Sequence, residues 1–290
     1  MNPVQKFMEQ LQQGLPSATD EFNREESFLI EMRDGVLLKT SMYFPAGTGP
    51  WPVIVIRNPY AAILPILAAA ASLWTQYGYA VVLQDCRGTG DSAGNWTPFL
   101  NERNDGLDTI QWIMKQSWMN GNIGTYGHSY LSAVQWVMAD RLPNEVKAMV
   151  LSGFTTERYR QHYMNGMFRH DVYTGWAIEN SGVKNISTEG LFQQAVHIRP
   201  HIEMDEQIFG QKLAWYRDWI TNVSPVDDYW SAGFWSDLKE IPKNIHTPIL
   251  MIDGWFDQHL DGMVRDYHKL PEETRRRSRF FIGPWLPLDK

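Results

Sequence analysis

Gly124-Thr125-Tyr126-Gly127-His128-Ser129-Tyr130-Leu131-Ser132 joins two apolar runs, and its reading decides the fold. Small residues at Gly124 and Gly127 let the backbone turn sharply from a strand into a helix. Such a turn lifts the Ser129 hydroxyl onto a strained elbow, with the helix N-terminus behind it. A serine placed there can attack an acyl carbon, and the developing oxyanion meets the backbone N–H of Tyr130. Glycine-serine pairs also mark ordinary turns, so the surroundings carry the argument.

Outward from the elbow, the chain alternates strands and helices. Asn122–Tyr126 predicts a short strand before the turn, and Leu131 to Ala139 a helix after it. Val146–Ser152, Thr247–Asp253 and Arg279–Gly283 read as later strands. Upstream, Trp51–Arg57 and Ala80–Asp85 are buried-strand runs separated by an Ala- and Leu-rich helical segment, a β-α-β unit of a parallel sheet. Ser27–Arg33 and Val36–Tyr43 flank Asp34-Gly35, a hairpin signal, and Asp105 to Gln116 patterns as a helix. Residues 153–246 hold no clear strand, too long a stretch for a structureless loop. Periodicity at Leu191–Val196 and Phe209–Ile220 predicts a helical insertion there, a cap over the sheet. The expected architecture is therefore α/β, with a mostly parallel sheet built from residues 1–154 and 242–290 and a helical cap over 155–241.

Composition excludes several functions. A net charge of −7 argues against a nucleic-acid partner, and Arg275-Arg276-Arg277 reads as a solvated loop or helix end. The single cysteine, Cys86, rules out an intramolecular disulfide and a Cys-rich zinc site, and is expected to be a packed thiol. Met1–Gly14 lacks a signal-peptide pattern; Val4, Phe7, Met8 and Leu11 instead form the stripe of an amphipathic helix. The longest apolar stretch, Ala61 to Leu73, contains Pro65 and is too short to span a bilayer, so a cytoplasmic protein without a membrane partner is expected. No cofactor or metal is indicated: His197 and His201 stand four apart, but Pro200 breaks the helix that would align them. Gly88–Gly94 lacks the Walker lysine, which removes a nucleotide loop, and Arg87 is expected to pair with Asp85 beneath that turn.

Several stretches, in order, resemble the CocE/NonD family of α/β-hydrolases, which includes cocaine esterase, α-amino-acid ester hydrolases and X-Pro dipeptidyl aminopeptidase relatives. They are Met32-Arg33-Asp34-Gly35-Val36, Arg57-Asn58-Pro59-Tyr60, Gln84-Asp85-Cys86-Arg87-Gly88, Asp105-Gly106-Leu107-Asp108, Gln116-Ser117-Trp118, Gly127-His128-Ser129-Tyr130-Leu131, Gly254-Trp255-Phe256-Asp257 and Ile282-Gly283-Pro284-Trp285. The resemblance implies an α/β-hydrolase fold with Ser129 as nucleophile. It implies Tyr60 as the second oxyanion donor beside the Tyr130 N–H, and Asp257 as the triad carboxylate. The plain structural alternatives are a core ring for Tyr60 and a helix N-cap for Asp257, with Gln258 to Val264 starting the helix.

The chain departs from the family at the base. The family's histidine follows Gly-Pro-Trp by two positions; here Leu286 and Pro287 stand there, and the sequence, which runs to Lys290, is expected to lack the family's C-terminal β-rich domain. Four explanations stay open: another histidine, a substrate amine or water as base, a repurposed site, or a truncated product. Among the histidines, His259 lies two residues after Asp257; His128 adjoins Ser129 but should point away; His162, His170, His197 and His201 fall in the cap. The expected function is a serine-dependent acyl hydrolase or acyl-transfer enzyme acting on an ester or amide of a small molecule. The alternative is an impaired or repurposed homologue with lyase- or cyclase-like chemistry, or with ligand or partner binding alone. If that domain normally covers one side of the core, its loss would expose apolar surface, and a homodimer is the expected partner arrangement.

Overall fold

Eight strands form one sheet in the computed structural model, which describes residues 12–182 and 190–284. The predicted N-terminal helix and Trp285-Leu286-Pro287 lie outside the described residues. The strands are β1 (Phe22–Glu31), β2 (Leu37–Pro45), β3 (Trp51–Asn58), β4 (Ala80–Asp85), β5 (Met119–His128), β6 (Val146–Ser152), β7 (Ile249–Gly254) and β8 (Arg279–Gly283). Their order is β1-β2-β4-β3-β5-β6-β7-β8. β1 pairs antiparallel with β2 and β2 with β4; every pairing from β4 through β8 is parallel. The hairpin turns at Asp34-Gly35, where Gly35 takes a φ of +83° that favours glycine.

Alternation along the strands serves both faces, as a doubly covered sheet requires. Tyr43, Ile56, Val81 and Leu83 pack on one face with Leu67 and Ala71 of helix α1 (Leu64–Thr75) and Leu131 of helix α3 (Tyr130–Trp136). Met42, Phe44, Val53, Val55 and Val82 point the other way, against Ile110 and Ile113 of helix α2 (Glu102–Met114). Helices α4 (Leu260–Lys269) and α5 (Glu272–Arg277) precede β8. No helix among the described residues is long and apolar enough to cross a membrane. α2 starts three residues before the sequence reading placed it, and α3 begins at Tyr130 and ends at Trp136.

Charged groups are buried on the α2 face. The Arg57 guanidinium meets Glu102 at 2.9 Å, and donates to Gln84 Oε1 at 2.8 Å and to the Glu102 carbonyl at 2.9 Å. Burial pulls its pKa down, but the acidic groups around it, Glu102 first, then Cys86 and Asp105, outweigh that and hold it above the ordinary arginine value. Arg87 does not pair with Asp85 as expected: its guanidinium bonds Asp105 at 2.6 and 3.0 Å and Asp34 at 2.7 and 3.1 Å. Asp85 turns instead into its own loop, accepting the Asp91 N–H at 3.1 Å.

The chain divides into two compact units, one of residues 1–154 with 241–290, the other Thr155–Glu240. The second is a set of short helices with a two-residue ribbon, Tyr163–Met164 against Met167–Phe168. The expected helical run over 209–220 is two helices, Met204–Phe209 and Ala214–Thr221, because Gly210 takes a φ of +68° between them. Its aromatics form its own core: the His162 ring lies on Tyr173 at 3.8 Å, and Trp219 packs at 4.8 Å from Trp215 and 5.7 Å from Trp176. Buried Asp205 fastens this unit, accepting from Arg217 at 2.7 and 2.8 Å and from the Leu213 N–H at 2.7 Å.

Two further histidines meet there. His170 and His201 lie edge to face at 4.3 Å; His201 Nε2 stands 2.7 Å from the Tyr216 hydroxyl, and His170 Nδ1 2.9 Å from Thr174 Oγ1. Burial, then His170 and Arg199, hold the His201 imidazole down to about 4, against a weak opposing pull from Asp205. A histidine lowered on folding leaves the unfolded chain with more bound protons between its two pKa values. Stability is therefore full above the ordinary histidine range and is lost as pH falls from about 6.5 toward 4. Thermal denaturation followed from pH 7 to pH 4 should show this loss, and His201→Gln should flatten it. An equal slope in the variant would exclude His201 as the source.

Candidate active site

The candidate residues cluster by element at the C-terminal ends of parallel strands. Val55 pairs with Thr125, so Tyr60 and Ser129 leave the ends of the neighbouring strands β3 and β5. His128 pairs with Ser152 and Ser152 with Ile252, so the segment after β7 carrying Asp257 emerges on the same edge. β6 alone intervenes, which puts β5 and β7 about 10 Å apart at ordinary strand spacing.

Ser129 sits at φ 56°, ψ −119°, between the last residue of β5 and the first of α3. Such a conformation costs a non-glycine residue on the order of 1–3 kcal/mol and persists only where its surroundings hold it. Here the Ser129 N–H donates to the Ser152 carbonyl at 2.9 Å, and its own carbonyl accepts from Ser132 and Ala133 at 2.9 and 3.0 Å. The two glycines of the stretch differ in importance. A Cβ on Gly127 would fall 2.3 Å from the Leu131 carbonyl oxygen, whereas one on Gly124 would meet nothing closer than 3.8 Å. Gly127 therefore makes the elbow, while Gly124 is an ordinary strand residue.

The Tyr130 side chain runs inward from the elbow and is 2% exposed. Its hydroxyl donates to Glu102 Oε1 at 3.0 Å and accepts from the Phe99 N–H at 2.8 Å and Trp96 Nε1 at 3.1 Å. Burial, reinforced by Glu102, raises the phenol well above its ordinary pKa and keeps it protonated. The Tyr60 ring stands edge-on to Tyr130 at 6.1 Å. Its backbone is clamped by Asn58, whose side chain accepts the Tyr60 N–H at 3.1 Å and donates to the Tyr60 carbonyl at 2.9 Å.

Asp257 and His259 are brought together: His259 Nδ1 lies 3.0 Å from Asp257 Oδ1, and the His259 N–H donates to that oxygen at 2.7 Å. The helix begins at Leu260, with His259 as its cap residue, not at Gln258. The Asp257 carboxylate thus meets both an imidazole and a backbone N–H at a helix start, but it is not the helix N-cap, because His259 holds that position. The other candidate histidines, His128 and those of residues 155–240, have partners of their own. His128 Nδ1 lies 2.8 Å from Ser152 Oγ, and a Cβ on Gly153 would fall 2.4 Å from its ring. His162 and His197 bond the Arg158 and Gln193 carbonyls at 2.8 and 2.6 Å, and His170 and His201 face each other. Glu102, Trp96 and Phe99 were not found from sequence; the one available signal was an acidic residue ahead of an apolar helical face.

The model of the X-Pro dipeptidyl-peptidase (S15) family matches residues 34–286, and the chain belongs to that family. Cocaine esterase of Rhodococcus sp. (strain MB1 Bresler) is 28% identical over 278 residues, spanning 89% of this chain and 48% of that protein. Among solved structures, an aminopeptidase from a marine sediment archaeon, Thaumarchaeota archaeon, superposes with a TM-score of 0.74 at 20% identity, over 94% of this chain and 50% of that one. A CocE/NonD family hydrolase of Staphylococcus aureus gives 0.66 at 21% identity, over 90% and 46%. The fold is that of the α/β-hydrolases, and the CocE/NonD resemblance read from the motifs stands. The chain spans about half the length of these relatives.

The elbow geometry separates its two glycines experimentally. Gly127→Ala should lose about 1–3 kcal/mol in urea denaturation, the range of overpacked sites, and Gly124→Ala no more than about 0.5 kcal/mol. Equal losses would contradict the assignment of the turn to Gly127.

Proposed function

We propose that the chain is a serine-dependent acyl hydrolase acting on an ester or amide of a small molecule. The observation that carries this reading is the left-handed Ser129 backbone at the end of β5, a strain that an ordinary turn serine does not need. The Asp257–His259 pair at the end of β7 supports a base. In this reading Ser129 Oγ bonds to the acyl carbon while its proton passes to His259, oriented by Asp257. The carbonyl electrons move onto oxygen, which the Tyr130 N–H and Tyr60 hydroxyl receive. Collapse of that intermediate breaks the bond to the alcohol or amine, which leaves with the proton. Water then repeats the sequence on the acyl-enzyme, and an alcohol or amine in its place gives acyl transfer. The relatives' names include an esterase and an aminopeptidase, so both ester and amide substrates belong in the test.

A fluorophosphonate probe tests the reading, since phosphonylation joins serine oxygen to phosphorus with loss of fluoride and proton. The wild-type protein should label and Ser129→Ala should not. His259→Gln should label at least about a hundredfold more slowly, the order expected on losing a general base. A folded protein that stays unlabelled would overturn hydrolysis in favour of binding alone. Labelling undiminished in His259→Gln would remove His259 from the mechanism.

A further inference from the structure

Tyr130 is tied to both of the strained positions near it. Among the described residues, three non-glycine residues have positive φ: Phe99 at 73°, Ser129 at 56° and Asn165 at 52°. Ser129 precedes Tyr130 in the chain. Phe99 donates its N–H to the Tyr130 hydroxyl at 2.8 Å and stacks on its ring at 4.8 Å, with the planes 25° apart. A tyrosine needed only for packing would be served by its ring. This one ends in a hydroxyl with two donors and one acceptor around it, a full set for a phenol. The acceptor, Glu102, is itself 1% exposed and held at 2.9 Å by Arg57, which is 2% exposed. Isolating a carboxylate in this way is costly, and beyond Arg57 it meets the Cys86 thiol and the hydroxyl of the residue next to the candidate nucleophile.

The backbone N–H of that residue is the proposed oxyanion donor, and such a donor works only if its direction is fixed before charge develops. The phenol lies at the far end of the side chain. Any tilt of the Tyr130 backbone moves this tip farther than it moves the N–H, so three hydrogen bonds at the tip resist small rotations at the base. We infer that Tyr130 is a positioning residue through its side chain: the buried Arg57–Glu102–Tyr130 chain fixes the aim of the Tyr130 N–H and holds the Trp96–Phe99 segment beside it. This rests on the hydrolase reading given above.

The test compares Tyr130→Phe and Glu102→Gln with the wild-type chain in three measurements: the rate of Ser129 phosphonylation by a fluorophosphonate, kcat and KM for p-nitrophenyl acetate, and Tm. Tyr130→Phe keeps the ring and loses only the hydroxyl. Its phosphonylation rate and kcat should fall at least about tenfold, short of the hundredfold that a 1 Å misplacement can cost, with KM within about twofold. Glu102→Gln keeps an acceptor for the hydroxyl but leaves Arg57 only the more distant Asp105 carboxylate, at 3.9 Å. It should lose more Tm than Tyr130→Phe and less rate. A purely structural role predicts that rate follows Tm across both variants, and that outcome overturns the inference. So does a Tyr130→Phe protein that labels within twofold of wild type. Should Tyr130→Phe not fold, Glu102→Gln decides alone: a loss of at least about threefold in kcat at unchanged KM supports positioning, and an unchanged kcat refutes it. A wild-type chain that leaves Ser129 unlabelled removes the hydrolase reading and this inference together, whereas equal labelling of wild type and Tyr130→Phe removes only the inference.

Discussion

A guanidinium and a carboxylate sealed from water set the terms for the rest of the core. Arg57 and Glu102 meet where the end of β3 faces the start of α2, and neither charge can be left without its partner except at a cost of several kcal/mol. Several of their other atoms draw in the neighbours. Gln84 on β4 accepts from Arg57 and passes a hydrogen bond to Thr40 on β2; Thr109 on α2 donates to the same Gln84 oxygen. One turn along α2, Asp105 binds Arg87, which reaches Asp34 in the hairpin. The pairing therefore registers the hairpin, the sheet and α2 against one another by direction as well as by distance. Apolar contacts, which have no direction, could not do this.

The elbow exploits that rigidity. An unfavourable backbone at Ser129 can persist only if both flanks are over-determined, and they are: β6 holds the strand side through Ser152, and Tyr130 anchors the helix side to Glu102. Placing the candidate site residues at the ends of parallel strands adds a second economy. β3, β5 and β7 run the same way, so three separate connections deliver Tyr60, Ser129 and Asp257 to one edge of one sheet.

What the sequence discloses depends on how far apart the interacting residues lie. The hairpin was legible because Asp34-Gly35 prescribes its own turn, and the β3-α1-β4 unit because its apolar runs are unbroken. The nearness of His259 to Asp257 follows from a spacing of two at a helix start. Gly127 and Gly124 look alike as letters; only the approach of the Leu131 carbonyl tells them apart. Arg87 was matched to the nearest acid in sequence, Asp85, while its real partners lie 18 and 53 positions away and become neighbours only when α2 and the hairpin dock. The same holds for Tyr130: nothing local says that its hydroxyl will find Glu102, 28 residues upstream. Gly210 was readable as a breaker, yet the apolar spacing across it suggested continuity, and left-handed backbone won.

Cys86 sits against this ionic centre, wholly enclosed, its thiol pushed up by burial and further by Glu102. A fully enclosed thiol is out of reach of alkylating reagents and a protonated one reacts slowly with them, so it reacts in molecules whose interior has parted at that point. Because the chain has one cysteine, uptake of such a reagent reports a single location without interference. The residue is thus a native gauge: its modification in the undenatured protein reports how far the end of β4 opens.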